Sequence, residues 1–255
     1  MLELNIIIFV LGLLFGSFLN VCAYRLPRNK SIVLGRSRCP HCGHVIPFYQ
    51  NVPLLSFVIL KGKCHYCAAK ISWQYPLVEL LTGILTVALF LRFGFSYLFF
   101  FYLVFVYFLI VIALIDWKTR LIPNKLLFAL FVIGLIINVL GRVIPFKEAF
   151  IGAFLGGGAM YVTAVLGNHI FKKEAMGMGD VKLAFVSGFF LGWHFILWAL
   201  YLGFVAALLG IGLLWIIRRR NLPEHIPMGP FFALGFVLNL FYGAELLNFY
   251  FKLFS

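Results

Sequence analysis

Eight apolar runs, all but one roughly as long as a bilayer is thick, constrain this chain more than any other feature. They cover approximately residues 4–24, 75–93, 97–115, 125–141, 149–170, 181–193, 195–217 and 230–251, and the sixth is the shortest. A helix that is apolar all round over about 20 residues offers no face to water, so its solvent is lipid. Composition agrees, with 64% hydrophobic residues, 11% charged residues and a mean hydropathy of +1.05. The runs recur along the whole sequence, which a single cleaved targeting segment does not do. Lipid cannot satisfy backbone N–H and C=O groups, so each run closes its own hydrogen bonds as a helix. The expected fold is therefore an all-α polytopic membrane protein of about eight transmembrane helices.

Charge sets the expected orientation. With the N-terminus outside, the loops at 25–74, 116–125, 171–182 and 218–229 face the cytoplasm and hold 8, 3, 3 and 3 of the 21 Lys and Arg residues. Only Arg92, Arg142, Lys147 and Lys252 fall on the other side. Basic residues concentrate in cytoplasmic loops, and the formal charge of +13 reads as this topology rather than as a nucleic-acid surface. The expected setting is a bilayer, with no nucleic-acid partner.

The first cytoplasmic loop is the only one long enough to form a small domain. It carries Cys39-Pro40-His41-Cys42-Gly43 and, further on, Cys64-His65-Tyr66-Cys67. Two such knuckles present four thiolates to one tetrahedral ion, which points to structural Zn2+ held by Cys39, Cys42, Cys64 and Cys67. Disulfides or merely buried thiols are the alternatives, and a reducing cytoplasm disfavours the first. Gly43 suits the tight turn of a knuckle. The expected division is a first helix over 1–24, a zinc-binding domain over 25–74 and a membrane domain over 75–255. Between the knuckles, 51–60 is apolar but interrupted by Pro53 and too short to span. It is expected to pack on the membrane surface or on the zinc module.

Asp116 and Asp180 are the only aspartates in the sequence, each placed where an apolar run meets a basic loop. A carboxylate at a bilayer edge is costly unless solvated, paired or protonated. Asp180 follows Gly177-Met178-Gly179 and precedes an apolar helix, so it reads equally as a helix N-cap. Functionally, Gly177 and Gly179 leave bare backbone along which an extended substrate strand can approach. Asp116 ends a helix, where the helix dipole disfavours another anion, although snorkelling beside Trp117 is an alternative. Two carboxylates that meet share one proton, and such a pair can activate water while protonating a carbonyl or a leaving amine.

The ordered motifs resemble those of the bacterial type IV prepilin peptidases, a branch of the GxGD intramembrane aspartyl proteases. The resemblance is carried by Gly16-Ser17-Phe18-Leu19-Asn20-Val21 with Tyr24-Arg25-Leu26-Pro27, the two cysteine knuckles, and Asn51-Val52-Pro53-Leu54-Leu55-Ser56. It continues through Tyr75-Pro76-Leu77-Val78-Glu79-Leu80, Asp116 with Ile122-Pro123-Asn124, Gly177-Met178-Gly179-Asp180-Val181-Lys182-Leu183 and Ile226-Pro227-Met228-Gly229-Pro230. The resemblance implies that Asp116 and Asp180 are the catalytic pair and that the cysteines form the family's zinc domain. It implies cleavage of the basic leader of prepilins and pseudopilins after a glycine at the cytoplasmic face of the inner membrane. It also implies methylation of the new N-terminus from S-adenosyl-L-methionine, for which no residue pattern here speaks independently; Glu79 and the zinc module mark the region of interest. The chain departs from the pattern by lacking a longer insertion before Cys39 and by carrying Met228 where Phe is usual. Neither departure is expected to touch the aspartates.

A basic leader must approach basic loops, so Glu174 and Glu224 are the candidates for receiving its Lys and Arg. Gly152, Gly156, Gly157 and Gly158 read as a helix-packing stripe rather than a nucleotide loop, and Gly12 with Gly16 reads likewise. Two other functions compete with the protease. A transporter would carry its ionisable pair at mid-membrane and show an internal repeat, and a non-catalytic scaffold would tolerate loss of both aspartates. A zinc metalloprotease lacks its His-Glu-x-x-His helix.

Overall fold

The structure is a computed structural model that describes residues 2–33, 35–172, 176–218 and 226–254. Nine α-helices lie among them, and no strand does. They are α1 (Leu2–Arg25), α2 (Leu55–Ile59), α3 (Gln74–Phe93), α4 (Tyr97–Thr119), α5 (Asn124–Gly141), α6 (Phe146–Phe171), α7 (Met178–Leu191), α8 (Trp193–Arg218) and α9 (Gly229–Phe254). Seven of them are long and apolar enough to cross a membrane. The exceptions are α2 and α7. The apolar run expected at 181–193 is the 14-residue α7. At about 1.5 Å per residue it extends roughly 21 Å, short of the ~30 Å hydrocarbon core.

The chain forms two compact units, Met1–Phe99 and Phe100–Ser255. In the first, α1 and α3 pack face to face because their glycines remove the side chains that would hold them apart. A Cβ on Gly12 would lie 2.8 Å from the Gly83 Cα, and one on Gly16 would lie 2.7 Å from the Glu79 Cα. The seam also buries Asn20, Thr82 and Thr86. The threonine hydroxyls donate back to Val78 and Thr82 carbonyls at 2.7 and 2.6 Å, so neither costs an unpaired polar group in lipid.

In the second unit the core is aromatic. Phe190 stacks on Phe105 at 4.7 Å and on Phe101 at 4.4 Å, and Gly134 provides the space its ring occupies. The expected packing stripe of α6 is realised: Gly152 lies against the Gly188 carbonyl of α7, and Gly156 against the Ala184 carbonyl. Gly203 of α8 and Gly235 of α9 meet in the same way. Any side chain at Gly188 would run into the Gly152 backbone, whereas Gly158 faces open space. Gly188→Val is therefore expected to destabilise the detergent-solubilised protein by about 1–3 kcal/mol or more, and Gly158→Ala to leave the thermal midpoint unchanged. Equal midpoints for the two variants would contradict this packing.

Candidate active site

Both cysteine knuckles fold by one plan. The Cys39 N–H donates to the His44 carbonyl at 3.0 Å and the Gly43 N–H to the Cys39 carbonyl at 2.9 Å. The Cys64 N–H donates to the Ala69 carbonyl at 2.8 Å and the Ala68 N–H to the Cys64 carbonyl at 3.0 Å. The residue after each second cysteine is left-handed, with φ of 70° at Gly43 and 55° at Ala68. Glycine meets that demand freely, and Ala68 carries the strain of the second turn. The four sulfurs of Cys39, Cys42, Cys64 and Cys67 lie within 4.8 Å of one another, and all four thiols are free.

The donor set fits a tetrahedral ion. A metal–sulfur bond of about 2.3 Å makes a sulfur–sulfur edge of about 3.8 Å, and Cys39 Sγ lies 3.8 Å from Cys67 Sγ. A hydrogen bond from the Cys42 backbone N–H helps lower the Cys39 thiol to about 6. At Cys67 the Ala69 N–H favours the thiolate, but desolvation and the neighbouring sulfurs outweigh it and push the thiol up to about 12. Four clustered thiolates repel one another, and only a cation at their centre lets all ionise together.

The segment between the knuckles divides its loyalties. Phe57 of α2 turns inward onto the Trp73 ring at 4.9 Å, while Leu55, Val58 and Ile59 are exposed. Leu54 adopts a positive φ of 59°, and its N–H donates to Glu79 Oε2 at 2.9 Å. Glu79 is buried. This carboxylate thus ties the cysteine module to helix α3.

The two aspartates lie in the second unit. Asp116 sits near the end of α4, where the Arg120 N–H closes the last turn onto its carbonyl at 2.8 Å. The side chain does not snorkel: Asp116 is 5% exposed, while the adjacent Trp117 is 58% exposed. Its Oδ2 accepts the Gly229 N–H at 2.8 Å, at the first residue of α9. A carboxylate that the end of its own helix disfavours is thus placed at the positive start of another. Gly229 is needed there, since a Cβ would stand 2.8 Å from the same oxygen.

Asp180 is not an N-cap. Gly177 takes that position with φ −75° and ψ 146°, and Asp180 is the third residue of α7. From there its Oδ2 lies beside Gly177, 3.7 Å from where a Cβ on that glycine would stand. Gly177 is exposed beside it, and Gly179 abuts the loop before α5, where a Cβ would lie 3.1 Å from the Ile122 Cβ. The two carboxylates are close enough for the charge on Asp116 to act on Asp180. Glu174 and Glu224, the candidates for the leader's cations, lie outside the described residues.

Gly229 is the residue that sequence reasoning passed over. Met228-Gly229-Pro230 was a recognisable stretch, but nothing local tied it to an aspartate 113 positions earlier. Met228, whose carbonyl accepts the Phe231 and Phe232 N–H groups, is the immediate neighbour of that contact. The departure at Met228, not expected to touch the aspartates, is one residue from the Asp116 hydrogen bond.

Comparison with known proteins decides the family. Residues 103–215 match the type IV leader peptidase family, and residues 10–93 match the bacterial peptidase A24 N-terminal domain. A prepilin leader peptidase/N-methyltransferase of Aeromonas hydrophila is 33% identical over 269 residues, covering 96% of this chain and 92% of that protein. The chain belongs to the type IV leader peptidase family. Other members bearing the same name include one from Pseudomonas aeruginosa, 34% identical over 94% of this peptidase and 91% of the relative. One from Myxococcus xanthus is 40% identical over 85% of the peptidase and 65% of the relative, so the match spans less than two thirds of that protein. No solved structure matches. Family and apolar helices together make the peptidase a multi-pass inner-membrane protein.

Proposed function

We propose that this chain cleaves the basic leader from prepilins and pseudopilins after a glycine, using Asp116 and Asp180 as an acid–base pair. The observation that supports this most is a buried Asp116 held by the Gly229 N–H at a helix start, close enough for its charge to act on Asp180. Such a pair holds one proton between its members. The ionised carboxylate takes a proton from water as the oxygen attacks the scissile carbonyl. The protonated partner donates to the carbonyl oxygen, giving a tetrahedral diol; as the C–N bond breaks, the carboxyl that took the water proton gives it to the leaving amine and its partner recovers a proton from a diol hydroxyl. Gly177 leaves backbone room beside Asp180 for an unwound substrate strand. The concentration of Lys and Arg in the loops that carry the aspartates and the cysteines supports a cytoplasmic location for them, with the N-terminus outside. Glu174 and Glu224 are our candidates for meeting the leader's cations.

Cys39, Cys42, Cys64 and Cys67 would hold Zn2+, which when bound neutralises the thiolates and joins the two knuckles. A closed four-cysteine shell leaves no open position, so the ion is structural. N-methylation of the new N-terminus is the second activity, with S-adenosyl-L-methionine as donor, supported by family membership. The grooves beside Asn124 and Asn5 present no acidic side chain for a ribose. Purified protein, incubated with a prepilin and S-adenosyl-L-methionine and followed by mass spectrometry, tests both activities. Loss of the leader mass is expected, followed by the gain of one methyl group; an uncut substrate would overturn the reading.

A further inference from the structure

Helices α5 and α7 enclose a groove of ≈ 310 Å³ with a polar end and an apolar body. Leu127, Phe128 and Phe131 line it from α5, and Phe185 from α7. Its walls are fixed by packing behind them: Phe131 meets the Phe189 ring at 5.1 Å, and Phe185 meets Phe154 at 5.4 Å. At the end where both helices begin, the Lys182 ammonium donates to Asn124 Oδ1 at 3.0 Å. That bond orients the pair, with the Asn124 amide N–H groups and the other ammonium N–H groups available to one acceptor.

The groove does not belong to the aspartate site. Lys182 is two residues beyond Asp180, about 200° round the helix at roughly 100° per residue. The Asp180 carboxylate and the Lys182 ammonium therefore leave α7 on nearly opposite sides. The groove leaves Phe128 of its wall 71% exposed, an apolar surface suited to lipid rather than water. Its chemistry matches one component of a bilayer: an apolar channel for an acyl chain, ending in a cation and an amide that suit a phosphate.

We infer that the α5/α7 groove is a binding site for an anionic phospholipid, with the acyl chain along Phe128 and Phe131 and the phosphate on Lys182 and Asn124. This goes beyond the peptidase reading and stands without it. The anionic headgroup supplies selectivity over zwitterionic lipid, and one lysine near a membrane surface is worth about a fivefold change in affinity.

The test uses full-length protein in nanodiscs of phosphatidylcholine with a minor fraction of phosphatidylglycerol carrying a photoreactive acyl chain. Crosslinks are expected to concentrate on residues 124–131 and 182–186. Lys182→Met should reduce them about fivefold, and Lys182→Arg should retain them. Phe128→Ala, at an exposed wall position, should shift the acyl crosslinks without altering the headgroup preference and serves if Lys182→Met fails to fold. Crosslinks spread evenly over the lipid-facing helices would overturn the site, as would equal labelling from a phosphatidylcholine probe. So would displacement of the lipid by added prepilin, which would make the groove a substrate site. Loss of peptidase activity has no bearing on these outcomes, so the two readings fail separately.

Discussion

Asp116→Asn and Asp180→Asn are each expected to lower leader cleavage by about 10³-fold or more, within the range that general acid–base groups contribute and at its upper end. The substitution removes the titrating oxygen while keeping shape. The amide oxygen introduced at position 116 would still accept the Gly229 N–H, and Gly177 remains the backbone N-cap of α7, so both helix starts keep their geometry. Thermal midpoints in detergent should therefore remain within a few degrees of the parent while turnover disappears. The pairing predicts more than two separate losses. Because the carboxylates act as a unit, the double variant should be scarcely slower than either single one. Near-parental turnover in either variant, measured by mass spectrometry of the cleaved substrate, would remove the pair from the mechanism. Multiplicative losses in the double variant would show that the residues act independently.

The second large effect concerns the cysteine module. The purified protein should carry one zinc ion per chain by elemental analysis, and Cys39→Ser with Cys64→Ser should carry none. Structural zinc in small four-ligand modules contributes about 10–16 kcal/mol of apparent binding free energy at neutral pH, far more than a loop of this size gains from its own burial. Removing the ion should therefore expose 35–72 to limited proteolysis while the membrane helices remain protected. The ligands bind as thiolates, so the metal competes with protons. Affinity is full where the thiols ionise and falls as pH drops, and acidification should release zinc before it affects the helices. A metal-free protein with the same proteolysis pattern as the zinc-loaded one would contradict the assignment.

Much of this was legible in sequence because lipid leaves a chain few options. A run of apolar residues in a bilayer has to be a helix, so the long spans could be placed to within a few residues. Close glycine packing was legible at Gly152 and Gly156 because a small residue every fourth position makes a stripe on one face. The knuckles were legible because a metal shell requires four like donors at short local spacing. What the sequence hid was contact between distant segments. Helical periodicity says which face is special and nothing about which neighbour it meets, so the Gly229 N–H on Asp116 and the Leu54 N–H on Glu79 were invisible. The N-cap reading of Asp180 failed for a smaller reason. Gly177 already has the extended backbone of a cap, so the helix begins earlier and Asp180 falls in its first turn.

The hydrogen bond between Gly229 and Asp116 has a consequence for how this protein comes into being. A chain threaded into the membrane from its N-terminus holds both aspartates long before α9 emerges. Until that helix arrives, Asp116 lacks the donor that fixes it and stands at the unfavourable end of α4. On the proposed role of Asp116, proteolytic competence is a late event in biogenesis.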